Sequence, residues 1–212
     1  MIKVKEMINS TTLYSAILNG HLFLLGCLLS NFALAAIPVW HIDPNKSALS
    51  FTAIQQGAPV SGKFKTFTGD ITFDPEQLNA SKIRIVVAMD SVSTDYEDLE
   101  ETLRNVDWFD VKLFPQATFI ADHFIQVAPK TYQADGVLTI RDKSEPTKVT
   151  FVLEDFSKTN ALVKGQATLK RTQFGVGQGE WAATDDVADD VQVDFTLAAT
   201  VNEAVIAGQD KV

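Results

Sequence analysis

Val191-Gln192-Val193-Asp194-Phe195-Thr196-Leu197 alternates apolar and polar side chains without a slip. A strand repeats every two residues, so this run sends one row of side chains into an apolar interior and the other toward water. Ile83-Arg84-Ile85-Val86-Val87-Ala88-Met89 keeps its large residues on the odd positions, and Val149-Thr150-Phe151-Val152-Leu153 and Leu49-Ser50-Phe51-Thr52-Ala53 do the same. Strands of a parallel sheet, covered on both faces, read instead as unbroken apolar runs, so the pattern points to antiparallel sheet. Further strands are expected over 59–67, 69–74, 116–127, 131–142 and 161–175. Between them fall Gly57-Ala58-Pro59, Asp74-Pro75, Ala128-Pro129-Lys130 and Ser144-Glu145-Pro146, all typical chain breaks. Eight to ten strands with short connections fit a closed up-and-down barrel or a sandwich.

One stretch breaks the period. Leu99, Leu103 and Val106 are four and then three residues apart, Thr94 and Glu97 are spaced as a capping box, and acidic residues crowd the first turn. A single helix is therefore expected over 95–106, with Leu99, Leu103 and Val106 facing inward and the helix covering one end of the barrel.

Outside this sheet pattern, the first 35 residues read as a secretory signal. Lys3 and Lys5 give a basic start, Leu22 to Leu29 an apolar centre, and Ala33-Leu34-Ala35 a small-residue exit, placing cleavage before Ala36. Asn19, His21 and Asn31 interrupt a membrane-spanning run, and Leu28-Leu29 after Cys27 lack the polar tether of a lipoprotein. The expected organisation is a signal peptide over 1–35 and one domain over 36–212, exported to the periplasm. The single cysteine of the chain, Cys27, lies in the leader, so the mature domain carries no thiol into an oxidising space.

Composition excludes several functions. With 27 acidic against 18 basic residues and a net charge of −9, the 212-residue chain lacks the basic balance that sequence-independent nucleic-acid binding requires. His41 and His123 are the only histidines after the leader, no cysteine nucleophile remains, and no Gly-x-Ser-x-Gly elbow occurs. No catalytic, metal or cofactor site is therefore expected. Gly175-Val-Gly177-Gln-Gly179 resembles a phosphate loop only in its glycines, and Asp185-Asp186-Val187-Ala188-Asp189 reads as an acidic loop between strands.

Six blocks taken in order carry a family resemblance: Trp40-His41-Ile42-Asp43 with Ser47-x-Leu49-Ser50-Phe51; Gly62-Lys63-Phe64-Lys65-x-Phe67-x-Gly69-x-Ile71-x-Phe73-Asp74-Pro75; Leu103-Arg104-x-x-Asp107-Trp108-Phe109-Asp110; Phe114-Pro115-x-Ala117-x-Phe119; Gly136-x-Leu138-Thr139-Ile140; and Arg171-x-x-Phe174-Gly175. Over residues 39–203 the chain resembles the YceI-like polyisoprenoid-binding family of exported bacterial proteins. The resemblance implies an all-β, lipocalin-like, eight-stranded antiparallel barrel with one short helix near an end, and an apolar tunnel holding an isoprenoid or other amphiphilic lipid. Many members carry a histidine shortly after the Ser-x-x-Phe block, where this chain has Ile54-Gln55-Gln56-Gly57-Ala58-Pro59. That variant resembles a subset associated with membrane cytochromes of the b type, which would make such a cytochrome a partner and a quinone-type lipid the ligand; a homodimer is left open.

The residues support the tunnel on their own account. An eight-stranded barrel is just wide enough to be filled by side chains or to hold one slender ligand. The rows expected to face inward carry Phe51, Phe64, Phe73, Ile85, Val87, Phe119, Phe151, Phe195 and Leu197, while Ala53, Gly62, Gly165, Ala167 and Ala199 leave room among them. Burying each CH₂ is worth ~0.8 kcal/mol, so a tail of about twenty carbons gains on the order of 10–15 kcal/mol before the cost of ordering it. A polar head is expected at the mouth near Arg171, with Lys65 and Arg104 as further candidates. The leading reading is a non-catalytic carrier of an isoprenoid lipid. Its alternatives are an exported enzyme using His123 and Asp122 on a lipid-like substrate, and a solid barrel serving as a stress or interaction module.

Overall fold

The computed structural model describes residues 37–201. The expected signal peptide over 1–35 and the last residues of the chain lie outside that range.

Eleven strands and one α-helix follow in order: β1 (Val39–Ile42), β2 (Ala48–Gln55), β3 (Ala58–Phe64), β4 (Phe67–Thr72), β5 (Lys82–Ala88), β6 (Val92–Ser93), α1 (Glu97–Arg104), β7 (Gln116–Ala128), β8 (Thr131–Ile140), β9 (Lys143–Phe156), β10 (Asn160–Lys170) and β11 (Asp190–Val201). They make eight staves rather than eleven. The segments β1 and β2 both lie antiparallel along β11, through Trp40↔Val201 and Phe51↔Val193. Opposite them, β4 pairs with β1 and β3 with β2, while β5 and β6 pair with β4 and β3 in turn. Each of these segment pairs is one bent stave, and β7 to β10 continue the meander to β11. Pairing of β11 with the first stave closes an antiparallel barrel.

The end where β1 begins and β11 finishes is here termed the lower end. The β7–β8 and β9–β10 hairpins there are tight, and the lumen is filled. Phe73 stands edge-on to Phe124, Tyr132 and Phe151 at centroid distances of 5.6, 5.7 and 5.7 Å, and Trp40 packs on Phe156 at 5.2 Å. Trp40 Nε1 donates to the Phe73 carbonyl at 2.9 Å, joining the first stave to the end of the second. Edge-to-face rings add to the burial of their area, and this aromatic plug is the centre of the buried hydrophobic cluster of the domain.

Two β-bulges let the plug form. The β7–β8 register shifts between Ala121 and His123, so Asp122 is an extra residue. Strict alternation after Ala117, Phe119 and Ala121 would have turned His123 inward. The bulge instead brings in Phe124, which is buried, and leaves His123 exposed. A second shift, at Leu162/Val163 opposite β9, does the same for Phe156 after Leu153.

Several expectations need correction. The stretch Ser144-Glu145-Pro146 is not a break: β9 begins at Lys143, and the turn is the two-residue Arg141-Asp142, with Arg141 at φ 56°. The strand expected to run to residue 175 stops at Lys170, where a 3₁₀ turn (Arg171–Phe174) leads to Gly175 at φ 65°. The helix is α1 alone, so Val106 lies beyond it and is exposed. No Thr94–Glu97 capping box forms; Glu100 reaches back and accepts from the Thr94 N–H at 2.8 Å.

Because Phe73 is the hub of the plug, Phe73→Ala is expected to lower unfolding free energy by about 3–5 kcal/mol, read from the midpoint of urea denaturation. A loss under 1 kcal/mol would show that the lower end does not hold the barrel together.

Candidate functional site: an apolar lumen above the plug

Above the plug the same eight staves enclose a cavity of about 340 Å³. This is within the range of small-molecule pockets, roughly 300–1,000 Å³. Phe51, Phe64, Phe73, Ile85, Val87, Phe119, Phe151, Phe195 and Leu197 all line it. Phe73 and Phe151 form its floor as parts of the plug, while the other seven are only partly buried.

Glycines opposite phenylalanines help keep the lumen from being solid. Gly165 pairs with Phe195, and a Cβ built on Gly165 would stand 2.2 Å from the Phe195 Cζ. Gly62 pairs with Phe51, and a Cβ there would stand 2.4 Å from the Phe51 Cζ. Each ring thus folds over the bare backbone of the neighbouring stave instead of reaching across the axis. The lumen is plugged below and hollow above, not packed with rings from end to end.

Two segments cover the upper end. The first is α1 and the loop after it, contributing Leu99, Leu103, Trp108 and Phe109 to the cavity wall; the second is the connection from β10 to β11, contributing Phe174, Val176, Trp181 and Val187. Periodicity could not reveal most of these residues, because they sit on irregular backbone. The Leu99/Leu103 spacing was the one signal, and it located the inward face of α1 correctly.

Arg171 organises the second segment. Its side chain is 3% exposed, and its five N–H groups reach the carbonyls of Ala188 (Nε), Val176 and Gly177 (Nη1), and Ala183 and Val187 (Nη2) at 2.7–3.2 Å. The structure therefore corrects the expected headgroup contact: every donor of this guanidinium is spent on the loop. Gly177 is part of the arrangement, since it has φ 76° and its missing Cβ would stand 2.4 Å from Nη1. Burial pulls the Arg171 pKa below its ordinary value, and Asp189 opposes the shift. Neither Arg104 nor Lys65 lines the cavity. Arg104 ties α1 to the carbonyls of Asp90 and Val92 and to Glu100.

The remaining candidates fall elsewhere. His123 is on the outer face with its Nδ1 3.6 Å from Asp135, and His41 is exposed on β1. In the acidic run, Asp189 accepts from the Thr172 N–H and hydroxyl at 3.0 and 2.8 Å, and Val187 turns inward.

A lysine has neither the planar fork nor enough donors to replace five N–H contacts. Arg171→Lys is expected to cost at least about 2 kcal/mol in urea denaturation, through carbonyls left without partners; an unchanged midpoint would mean the loop is held by other contacts. Acid should act at the same end. Glu100 is held below the ordinary carboxylate range chiefly by the Thr94 N–H, helped by Ser93 and Arg104. For Asp189, burial pushes upward, but the two Thr172 hydrogen bonds, Lys170 and Arg171 prevail and lower it. A lowered folded pKa gives stability that is complete above the ordinary value of about 4 and is lost as pH falls through the folded value. Below about pH 4, fluorescence of Trp108 and Trp181 in a Trp40→Phe variant should change before that of Trp40 in the Trp108→Phe/Trp181→Phe variant. Simultaneous changes would argue against a separately acid-sensitive mouth.

Comparison with known proteins agrees with this architecture. The model of the YceI-like domain matches residues 40–199. A UPF0312 protein of Pseudomonas aeruginosa (strain LESB58) is 27% identical over 131 residues, covering 59% of this chain and 68% of its own. Among solved structures, BcnA of Burkholderia cenocepacia superposes with a TM-score of 0.71 at 32% identity, covering 75% of this chain and 99% of that one. A polyisoprenoid binding domain from Saccharophagus degradans, implicated in plant cell wall breakdown, shares the fold with a TM-score of 0.63 at 14% identity, covering 78% and 99%. A closed eight-stave barrel whose sequence matches along nearly its whole described length places the chain in the YceI-like family.

Proposed function

We propose that this protein is an exported, non-catalytic carrier that holds one long isoprenoid chain, free or quinone-linked, in the barrel with its tail toward the aromatic plug. The observation that carries this reading is the lumen itself, an apolar cavity whose only charged lining side chain among the described residues, Arg171, is saturated by backbone carbonyls. Such a wall gives a polar substrate little to bind, while each methylene it takes from water is worth ~0.8 kcal/mol. The polyisoprenoid binding domain that shares the fold supports the choice of ligand class. The leader read from the sequence supports a periplasmic site of action, where a chain insoluble in water needs a cover between membranes. The enzymatic alternative loses its candidate acid–base group, because His123 stands outside the barrel.

Solvent extraction of protein purified from its host, followed by mass spectrometry, should release an isoprenoid lipid in near-stoichiometric amount. Ala167 lines the lumen on β10. Ala167→Trp should fill that space and reduce uptake of added geranylgeraniol at least tenfold while the β-type circular dichroism persists. A folded wild-type protein that is empty and takes up neither a polyprenol nor a quinone would overturn the reading.

A further inference from the structure

Resting on the lipid-carrier reading, we infer that the indole N–H of Trp108 is the hydrogen-bond donor for the polar end of the ligand, and that this end is a neutral acceptor such as a quinone carbonyl rather than a phosphate. Of the polar side chains on the cavity wall, Gln55 is only partly buried at the end of β2, and Trp40, Ser50, Thr102, Thr147 and Arg171 all donate to backbone carbonyls. Trp108 does not. Its Nε1 is sealed from solvent and has no partner, and among the described residues the only other buried side-chain atom in that state is Arg141 Nε. Arg141 does not line the cavity; it donates to the carbonyls of Val106 and Trp108 and lies 5.4 Å from the Phe114 ring centre. Buried donors are almost always satisfied in folded proteins, so an unpartnered N–H on a residue that lines a ligand-sized cavity points to an acceptor carried by the ligand.

Trp108 is positioned as an anchor would be. Its ring lies 5.7 Å from that of Trp181 and 6.0 Å beneath the Arg171 guanidinium, between the two segments that cover the upper end. A head bound there leaves the tail to run down the lumen past Phe64 and Phe195 to the plug. Charge sets the class of head. A phosphate needs a cation with hydrogens to give, and the guanidinium on this wall has none left. The exposed Glu97, Asp98 and Glu101 of α1 add negative charge at the same end. A neutral carbonyl needs one donor and no counter-charge.

The test uses three ligands with a common twenty-carbon tail, delivered from cyclodextrin: phytane with no head, a menaquinone of four isoprene units with carbonyls, and geranylgeranyl phosphate. Wild-type protein should bind the menaquinone more tightly than phytane, and the phosphate no more tightly than phytane. Trp108→Phe keeps a ring but removes the donor, and should weaken the menaquinone roughly threefold to tenfold while leaving phytane unchanged. Because both ligands are measured on the same variant, a general loss of folding would lower both and cannot imitate this result. Equal losses for menaquinone and phytane in Trp108→Phe, an unaltered menaquinone affinity, or tightest binding of the phosphate would each overturn the inference. Failure of all three ligands on wild type would instead overturn the carrier reading beneath it.

Discussion

A closed sheet has one inside, and every second residue of its eight staves must share it. Once β11 pairs with the first stave, the alternating side chains have no other apolar surface to cover, so what the interior contains follows from their volumes alone. In this barrel the volumes are unequal along the axis. Trp40, Phe73, Phe124, Tyr132, Phe151 and Phe156 meet at the lower end and fill it. Higher up, phenylalanines alternate with glycine and alanine across the staves, and the rings fold onto the wall. Stability and capacity are thereby separated. The plug supplies the packed core that closes the barrel, and the upper half can remain unfilled without unfolding it.

The upper end meets a different demand. Loops there must be apolar toward the lumen, yet irregular backbone carries carbonyls that need partners. Arg171 resolves the conflict by serving five of them from one buried side chain, which leaves Phe174, Val176 and Val187 free to face the cavity. Arg104 and Glu100 do comparable work for α1 on the other side. The charged residues near the mouth thus shape it through the backbone groups they bind. The pKa shifts follow the same division, since the carboxylates with lowered values, Glu100 and Asp189, anchor the two covering segments.

Much of the barrel could be read before folding. The nine apolar residues assigned to the lumen all line it, because on a regular strand a side chain's face follows from parity alone. Where parity fails, so does the reading. The bulge at Asp122 exchanges His123 for Phe124, and nothing in the local sequence announces an unpaired residue. Trp108, Trp181 and Val187 were missed because loops have no period. Arg171 was assigned the opposite role from the one it has, since an arginine beside an apolar strand looks the same in sequence whether its donors face a ligand or a turn of backbone.

The alternation of apolar and polar residues by itself determined an antiparallel β-domain with an apolar interior, and the Leu99/Leu103 spacing determined a helix with its inward face. Only the tertiary structure decided that this interior is filled below and hollow above. Whether a ring fills a lumen or lies against its wall depends on which residue stands opposite it on the neighbouring stave. That pairing, Phe195 with Gly165 or Phe51 with Gly62, joins positions far apart or reversed along the chain and exists only after the sheet has closed.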